Sequence, residues 1–253
     1  MSPATPSPVR WDDAGTPHST EFNDIYRSES AQGGGLAQAQ AVFLQGCGLL
    51  DSRPAWAGAP QWTILENGFG LGLNALATWQ AWRSDPLRPA RLHHVAIESS
   101  PVSASDIARS ASQWPELRPL AEALCQQWWG IRPGVHRLVF DEGRFCLTLL
   151  IGPVEDWIEP SGVRGQTFRA NSIYLDGFNP SVNPQMWSHK TLRAICAHAR
   201  AGTRVATWCV AASVRQALSE CGLEVERLPG LLPKRHRLQA HYPVAQTSAD
   251  PAP

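Results

Sequence analysis

The chain lacks net charge. Its 22 Lys and Arg are balanced by 22 Asp and Glu, so the whole molecule does not attract a polyanion, and a nucleic-acid surface would have to be a local patch. It also lacks any Cys-x-x-Cys pair among its six cysteines, at 47, 125, 146, 196, 209 and 221, and shows no secretory apolar region. That argues against structural zinc or a disulfide framework and predicts reduced thiols in a cytoplasmic protein. No apolar run approaches the ~20 residues of a membrane-spanning helix, and no segment repeats. What remains is 253 residues with 43% hydrophobic content, enough to bury one sizeable core.

Both ends, "MSPATPSP" and "QTSADPAP", are rich in Pro, Ser and Ala and lack the periodicity of a buried element. The expected layout is a tail and extension over 1–60 packed on the core, a main domain over 61–245 and a disordered tail over 246–253. Within the extension, a turn cluster from Asp12 to Pro17 between two short strands predicts a hairpin, and "GGGLAQAQAVFLQG" passes from a flexible run into a helix.

Beyond a Pro-, Ala- and Gly-rich linker at 54–60, apolar runs of strand length alternate with helical periodicity. "WTILE", "RLHHVAIES", "SIYLD" and "TRVATWC" read as strands. "LNALATWQAWRSD", "SASDIARSASQW", "ELRPLAEALCQQWW", "MWSHKTLRAICAHAR" and "AASVRQALSECG" read as helices, with Ser103 or Ser105 capping the second. "HRLVFDEGRFCLTLLIG" predicts two strands across an Asp-Glu-Gly turn, a short helix follows near 154–158, and "LEVERLP" with "RHRLQAHY" predicts a closing hairpin. The pattern predicts an α/β fold with a mostly parallel sheet, whose ligand site lies at the carboxyl ends of the strands.

"ENGFGLGLN" is the first candidate for that site. Gly68, Gly70 and Gly72 give G-x-G-x-G after Glu66 rather than the G-x-G-x-x-G of a pyrophosphate loop, which favours a ligand with an amino-acid group and a nucleoside, S-adenosylmethionine above all. A purely structural glycine turn is the other reading. Glu98, ending the second strand, is placed to accept from ribose hydroxyls or to be simply solvated. Asp176 opens the turn "DGFNPSVNPQMW", stiffened by Pro180 and Pro184 and carrying Phe178 and Trp187. A carboxylate there suits an amine, and an aromatic suits a flat base; an Asx-type turn cap is the alternative. "PKRHR" gathers Lys234, Arg235, His236 and Arg237, either to grip RNA phosphates or as a solvated face, and Trp128 with Trp129 suggests packing.

Taken together, "EFNDIYRS", "VFLQG", "ENGFGLGLN", "HRLVFDEGR", "YLDGFNPSVNPQMW" and "PKRHR" resemble the MnmC/MnmD methyltransferase family over about 11–238. The resemblance implies a Rossmann-like, S-adenosyl-L-methionine-dependent enzyme that methylates the primary amine of 5-aminomethyl-(2-thio)uridine at the tRNA wobble position. It implies tRNA, through its anticodon region, as partner, and a separate flavin-dependent oxidoreductase acting upstream. By the same resemblance Glu66, Gly68, Phe69, Gly70, Gly72, Asn74 and Glu98 hold the cofactor. Asp176, Phe178 and Pro180 form the catalytic loop, and Lys234, Arg235 and Arg237 match loosely a basic tail that meets the RNA. Asn179 and Trp187 join them as RNA-contact candidates from the loop's own residues, and a direct methyl transfer needs no metal. The chain departs from the family at Pro153, where an acid usually meets adenine, leaving Glu155, Asp156 or main chain for that contact. It departs also at 37–41, at Asn179, and at "GLLP" before the basic run. A relative acting on another amine, or a non-catalytic RNA-binding protein, are the competing readings; the glycine spacing and the Asp176 loop disfavour a nicotinamide enzyme.

Overall fold

The computed structural model describes residues 7–27, 33–232 and 234–244; the expected tail at 246–253 lies outside them. Val9–Trp11 (β1) and Pro17–Ser19 (β2) form the expected antiparallel hairpin, closed where the Asp12 carboxylate accepts the Thr16 amide at 2.8 Å. Gly34–Gln38 (α1) begins the expected helix, but Ala39–Leu44 continues it as a π-helical turn, with the Gln45 amide reaching back to Gln40 O at 2.8 Å. Such turns recur at functional sites, and this one brings Ala39 and Phe43, next to Gln38 of α1, to the wall of a cavity.

The chain then runs through Gln61–Asn67 (β3), Leu73–Ser84 (α2), Arg91–Glu98 (β4), Ala104–Ala111 (α3), Arg118–Gln127 (α4), Gly134–Phe140 (β5), Phe145–Ile151 (β6) and Val154–Trp157 (α5). After a two-residue pair, Ile158–Glu159 (β7) and Gly162–Val163 (β8), come Ser172–Leu175 (β9), His189–Cys196 (α6), Arg204–Thr207 (β10), Ala212–Glu220 (α7), Glu224–Pro229 (β11) and His236–His241 (β12). The sheet order is β11-β12-β10-β9-β3-β4-β6-β5. Strands β12 and β5 run against the others, so the sheet is mostly parallel, as expected. After β3 the chain moves outward through β4 to β6 and then returns to β9, so the strand order reverses between β3 and β9, which pair from Ile64↔Ser172 to Asn67↔Leu175. A crevice therefore opens at the carboxyl ends of those two strands.

Both faces of the sheet are covered, which is why strands such as Ser172–Leu175 are buried at every position. On one face Trp79, Trp82, Phe140 and Phe145 pack with α2, α3, α4 and the π turn; on the other Leu192, Ile195, Val214 and Leu218 pack with α6 and α7. Ser103 is the cap of α3, its Oγ accepting the Asp106 amide. The helix expected over "MWSHKTLRAICAHAR" starts later. Pro184–Trp187 forms a separate 3-10 turn, and Ser188, extended at φ −62° and ψ 149°, caps α6 at Thr191. The β7–β8 pair was not expected from sequence; the buried His198 side chain holds it by accepting the Val163 amide at 2.8 Å.

Candidate active site

The glycine turn forms one wall of a cavity of about 460 Å³ at the switch point. Gly68 has φ +100°, and any Cβ there would overlap the Asp176 carbonyl, so the backbones after β3 and β9 touch only because this residue has no side chain. The Gly70 amide donates to Glu98 Oε2 at 2.7 Å and the Ser100 amide to Glu98 Oε1 at 2.8 Å. Glu98 therefore lines the cavity already anchored by two amides, each oxygen keeping a lone pair for a ligand hydroxyl. Burial pushes its carboxyl up, and the Ser100 and Gly70 amides oppose that.

Behind the wall a hydrogen-bonded chain leads to Asp176. Glu66 is 1% exposed and does not line the cavity. Its Oε2 meets His94 Nε2 at 2.8 Å, and its Oε1 accepts from Asn74 Nδ2 at 2.8 Å. The same Asn74 nitrogen donates to Asp176 Oδ2 at 2.8 Å, while Trp208 Nε1 donates to Asp176 Oδ1 at 3.0 Å. Burial first, and the nearby Glu66 second, push the Asp176 carboxyl up to about 7, against the pull of Asn74, Trp208 and Lys234. An acid so tuned exchanges a proton near neutral pH. Lys234 Nζ lies 3.1 Å from the centre of the Trp208 ring. Burial lowers its ammonium below the usual lysine range, with Asp176 and Asp24 pulling the other way.

Residues of the N-terminal segment form part of the cavity wall. Phe22 stacks on Phe178 with ring centres 5.0 Å apart, Tyr26 meets the same ring edge-on at 5.0 Å, and the Asn179 amide donates to Asp24 Oδ2 at 2.9 Å. These contacts place Phe178 and Asn179 in the lining.

Of the residues singled out from sequence, Gly68, Phe69, Gly70, Asn74, Glu98, Asp176, Phe178, Asn179 and Lys234 converge on the cavity. Glu66, Gly72, Pro180, Trp187, Arg235 and Arg237 stand outside its lining. Trp187 is buried, donates to Phe178 O at 2.8 Å and packs against Trp208; it braces the catalytic-loop candidate rather than offering a ring face to a base. The basic run does not present one face, because Lys234 turns inward, Arg235 is exposed and Arg237 bonds Pro229 O along the hairpin. Trp128 is buried against Phe69 and Trp129 is exposed.

Sequence reasoning missed Asp24, Tyr26, Asn67, Met186 and Trp208, all in the lining. Trp208 was findable, since it follows the last residue of a parallel strand, where ligand contacts concentrate. Among the described residues no trio of His, Cys, Asp or Glu is placed to hold a metal ion, and no helix is long and apolar enough to cross a membrane.

A crevice of this kind, with a glycine turn on one side of the strand reversal and an acid after the fourth parallel strand on the other, defines a Rossmann-like methyltransferase architecture. Residues 115–243 match the family model described as S-adenosyl-L-methionine-dependent methyltransferase, and the chain belongs to that family. It is 53% identical over 241 residues to a protein of Polaromonas sp. (strain JS666), covering 94% of this chain and 36% of that one. It is 54% identical over 229 residues to one of Polaromonas naphthalenivorans (strain CJ2), covering 90% and 34%. Both relatives are named tRNA 5-methylaminomethyl-2-thiouridine biosynthesis bifunctional protein MnmC, and the chain spans about a third of their length. The solved structure of MNMC2 from Aquifex aeolicus shares the fold at a TM-score of 0.69 and 19% identity, covering 95% of this chain and 71% of that one.

Proposed function

We propose that this chain methylates the primary amine of 5-aminomethyl-(2-thio)uridine at the wobble position of tRNA, in the cytoplasm, with 61–245 as the methyltransferase domain. The observation that carries this reading is an acid tuned to about 7, Asp176, set in a cavity of the S-adenosylmethionine-dependent family. The names of relatives half identical to it direct the choice of amine. A flavin-dependent oxidoreductase acting on the same uridine would supply the substrate, in keeping with the word bifunctional in those names.

The cavity fits the cofactor. Asn67 lines it with a buried Oδ1 that has no hydrogen-bond partner among the described residues, an acceptor suited to an amino-acid ammonium, while Asn67 Nδ2 is held by Met186 O at 3.2 Å. The bare turn at Gly68 and Gly70 and the remaining lone pairs of Glu98 suit the amino-acid and ribose parts. Pro153, Val154 and Glu155 also line the cavity and are the candidates for the adenine. S-adenosylmethionine supplies a methyl group already activated on a sulfonium, so orientation and a neutral acceptor are what the protein must add.

An alkylamine resembles lysine, with a pKa of roughly 10, and arrives protonated. Asp176 accepts that proton above pH 7 and orients the nitrogen, itself fixed by Asn74 and Trp208. Phe178, pinned by Phe22 and Tyr26, supplies an apolar wall beside the acid. The test is transfer of labelled methyl to tRNA from cells lacking this modification, with Asp176→Ala as control; cofactor binding without transfer would overturn the substrate assignment.

A further inference from the structure

The turn between β11 and β12 is built to deliver one ammonium into the cavity. The Gly230 amide donates to Arg235 O and the Lys234 amide to Leu231 O, each at 2.9 Å. A Cβ on Gly230 would overlap the Lys234 carbonyl, so only glycine lets the turn close this tightly. Arg235 beside it points to water, whereas Lys234 lines the cavity with its Nζ on the Trp208 ring. That indole donates to Asp176 from its edge, so cation, aromatic face and acid share one wall. Among the described residues Lys234 makes no ion pair within 4.0 Å. The groups acting on it are Asp176 after β9, Asp24 from the extension and Cys209 after β10. Glu66 lies behind Asn74, and Glu21, Glu98, Glu155 and Arg27 line the same cavity.

We propose that Lys234 is the charge that keeps the acceptor amine unprotonated: its ammonium, fixed over Trp208 beside Asp176, repels a second cation in the same cavity. The proposal rests on the amine-methylating reading above. A like charge at close range disfavours the charged form of its neighbour, and a lysine-type amine beside a fixed cation becomes a nucleophile near neutral pH. The proton released from the incoming ammonium passes to the Asp176 carboxylate and then to water, leaving the nitrogen lone pair free. Lys234 forms no bond in the step; it acts through the charge state of the substrate.

The test compares the unaltered chain with Lys234→Met and Lys234→Arg on hypomodified tRNA between pH 6 and 10, and on the same RNA carrying an aminooxymethyl group, whose nitrogen is unprotonated at neutral pH. Each unit of amine pKa changes the neutral fraction about tenfold. Lys234→Met is therefore expected to lose about 10- to 100-fold in kcat at pH 7, to recover as pH rises, and to match the unaltered chain on the aminooxy acceptor. Lys234→Arg is expected to keep most of the low-pH rate. In parallel, NMR of ε-carbon-labelled lysine should show Lys234 charged at pH 7.

A loss that is equal at every pH and on both acceptors would overturn the proposal, as would a rise in KM for tRNA with an unchanged pH profile, the mark of a phosphate contact. A neutral Lys234 at pH 7 would overturn it too. No transfer by the unaltered chain would sink the amine reading as well, whereas an active chain indifferent to Lys234→Met would sink this proposal alone.

Discussion

Replacing Glu66 by Gln should change when Asp176 works without touching the cavity wall. One Asn74 nitrogen bonds both carboxylates at 2.8 Å, so their oxygens lie no more than about 5.6 Å apart. Two negative charges at that distance repel by about 3 kcal/mol at an effective dielectric near 20, or about two pKa units. The amide is isosteric and can still accept from Asn74. It meets His94 through the other imidazole tautomer, so the buried bonds survive. The Asp176 carboxyl, pushed to about 7 by burial and then by Glu66, should fall by about one to two units. Carboxyl-carbon NMR titration reads this directly, and the acid limb of kcat/KM should move to lower pH by the same amount while the plateau above pH 8 keeps its height. The direction of the stability effect also follows. A raised carboxyl costs stability once pH climbs above its unfolded value near 3.8, most fully above 7, so Glu66→Gln should lessen that cost at pH 8. An unmoved titration, or a rate loss uniform in pH, would refute the idea that Glu66 tunes Asp176.

Asp176→Ala should retain cofactor binding by calorimetry and lose turnover by at least ~100-fold, the scale of a positioned acid or base; near-normal turnover would remove it from the mechanism. Gly68→Ala forces a side chain at φ +100° into the Asp176 carbonyl; urea unfolding should show a loss of about 2 kcal/mol or more, and a neutral result would contradict the close approach. Trp187→Ala empties a buried site and removes the bond to Phe178 O, with an expected cost of about 3–5 kcal/mol. If it instead raised KM for tRNA at unchanged stability, Trp187 would be a base platform after all.

Much of this was readable in the sequence, for reasons that differ by region. The parallel strands announced themselves because burial on both faces makes them short, mostly apolar runs with no polar alternation, as in "WTILE" and "SIYL". The glycine turn and Asp176 were legible because a close backbone approach and an acid at a strand end each require particular residue types. The partners of those residues were not. Nothing in the spacing says that Glu66 turns inward to His94, since both faces of β3 are buried and polar partners from neighbouring strands set the direction. The same holds for the extension. "EFNDIY" carries the family likeness, yet its role, clasping Phe178 and Asn179 from a distance of about 155 positions, is a long-range contact that local pattern cannot encode. In "PKRHR" four basic residues suggested one face, but the tight turn at Gly230 and the alternation of a strand scatter them.

The most direct measurement is a single incubation of the purified chain with methyl-labelled S-adenosylmethionine and tRNA from cells lacking the wobble modification, followed by nucleoside analysis. The account predicts label in 5-methylaminomethyl-(2-thio)uridine and none when Asp176 is Ala. Cofactor bound with no label in the RNA, or label on another nucleoside, would contradict it.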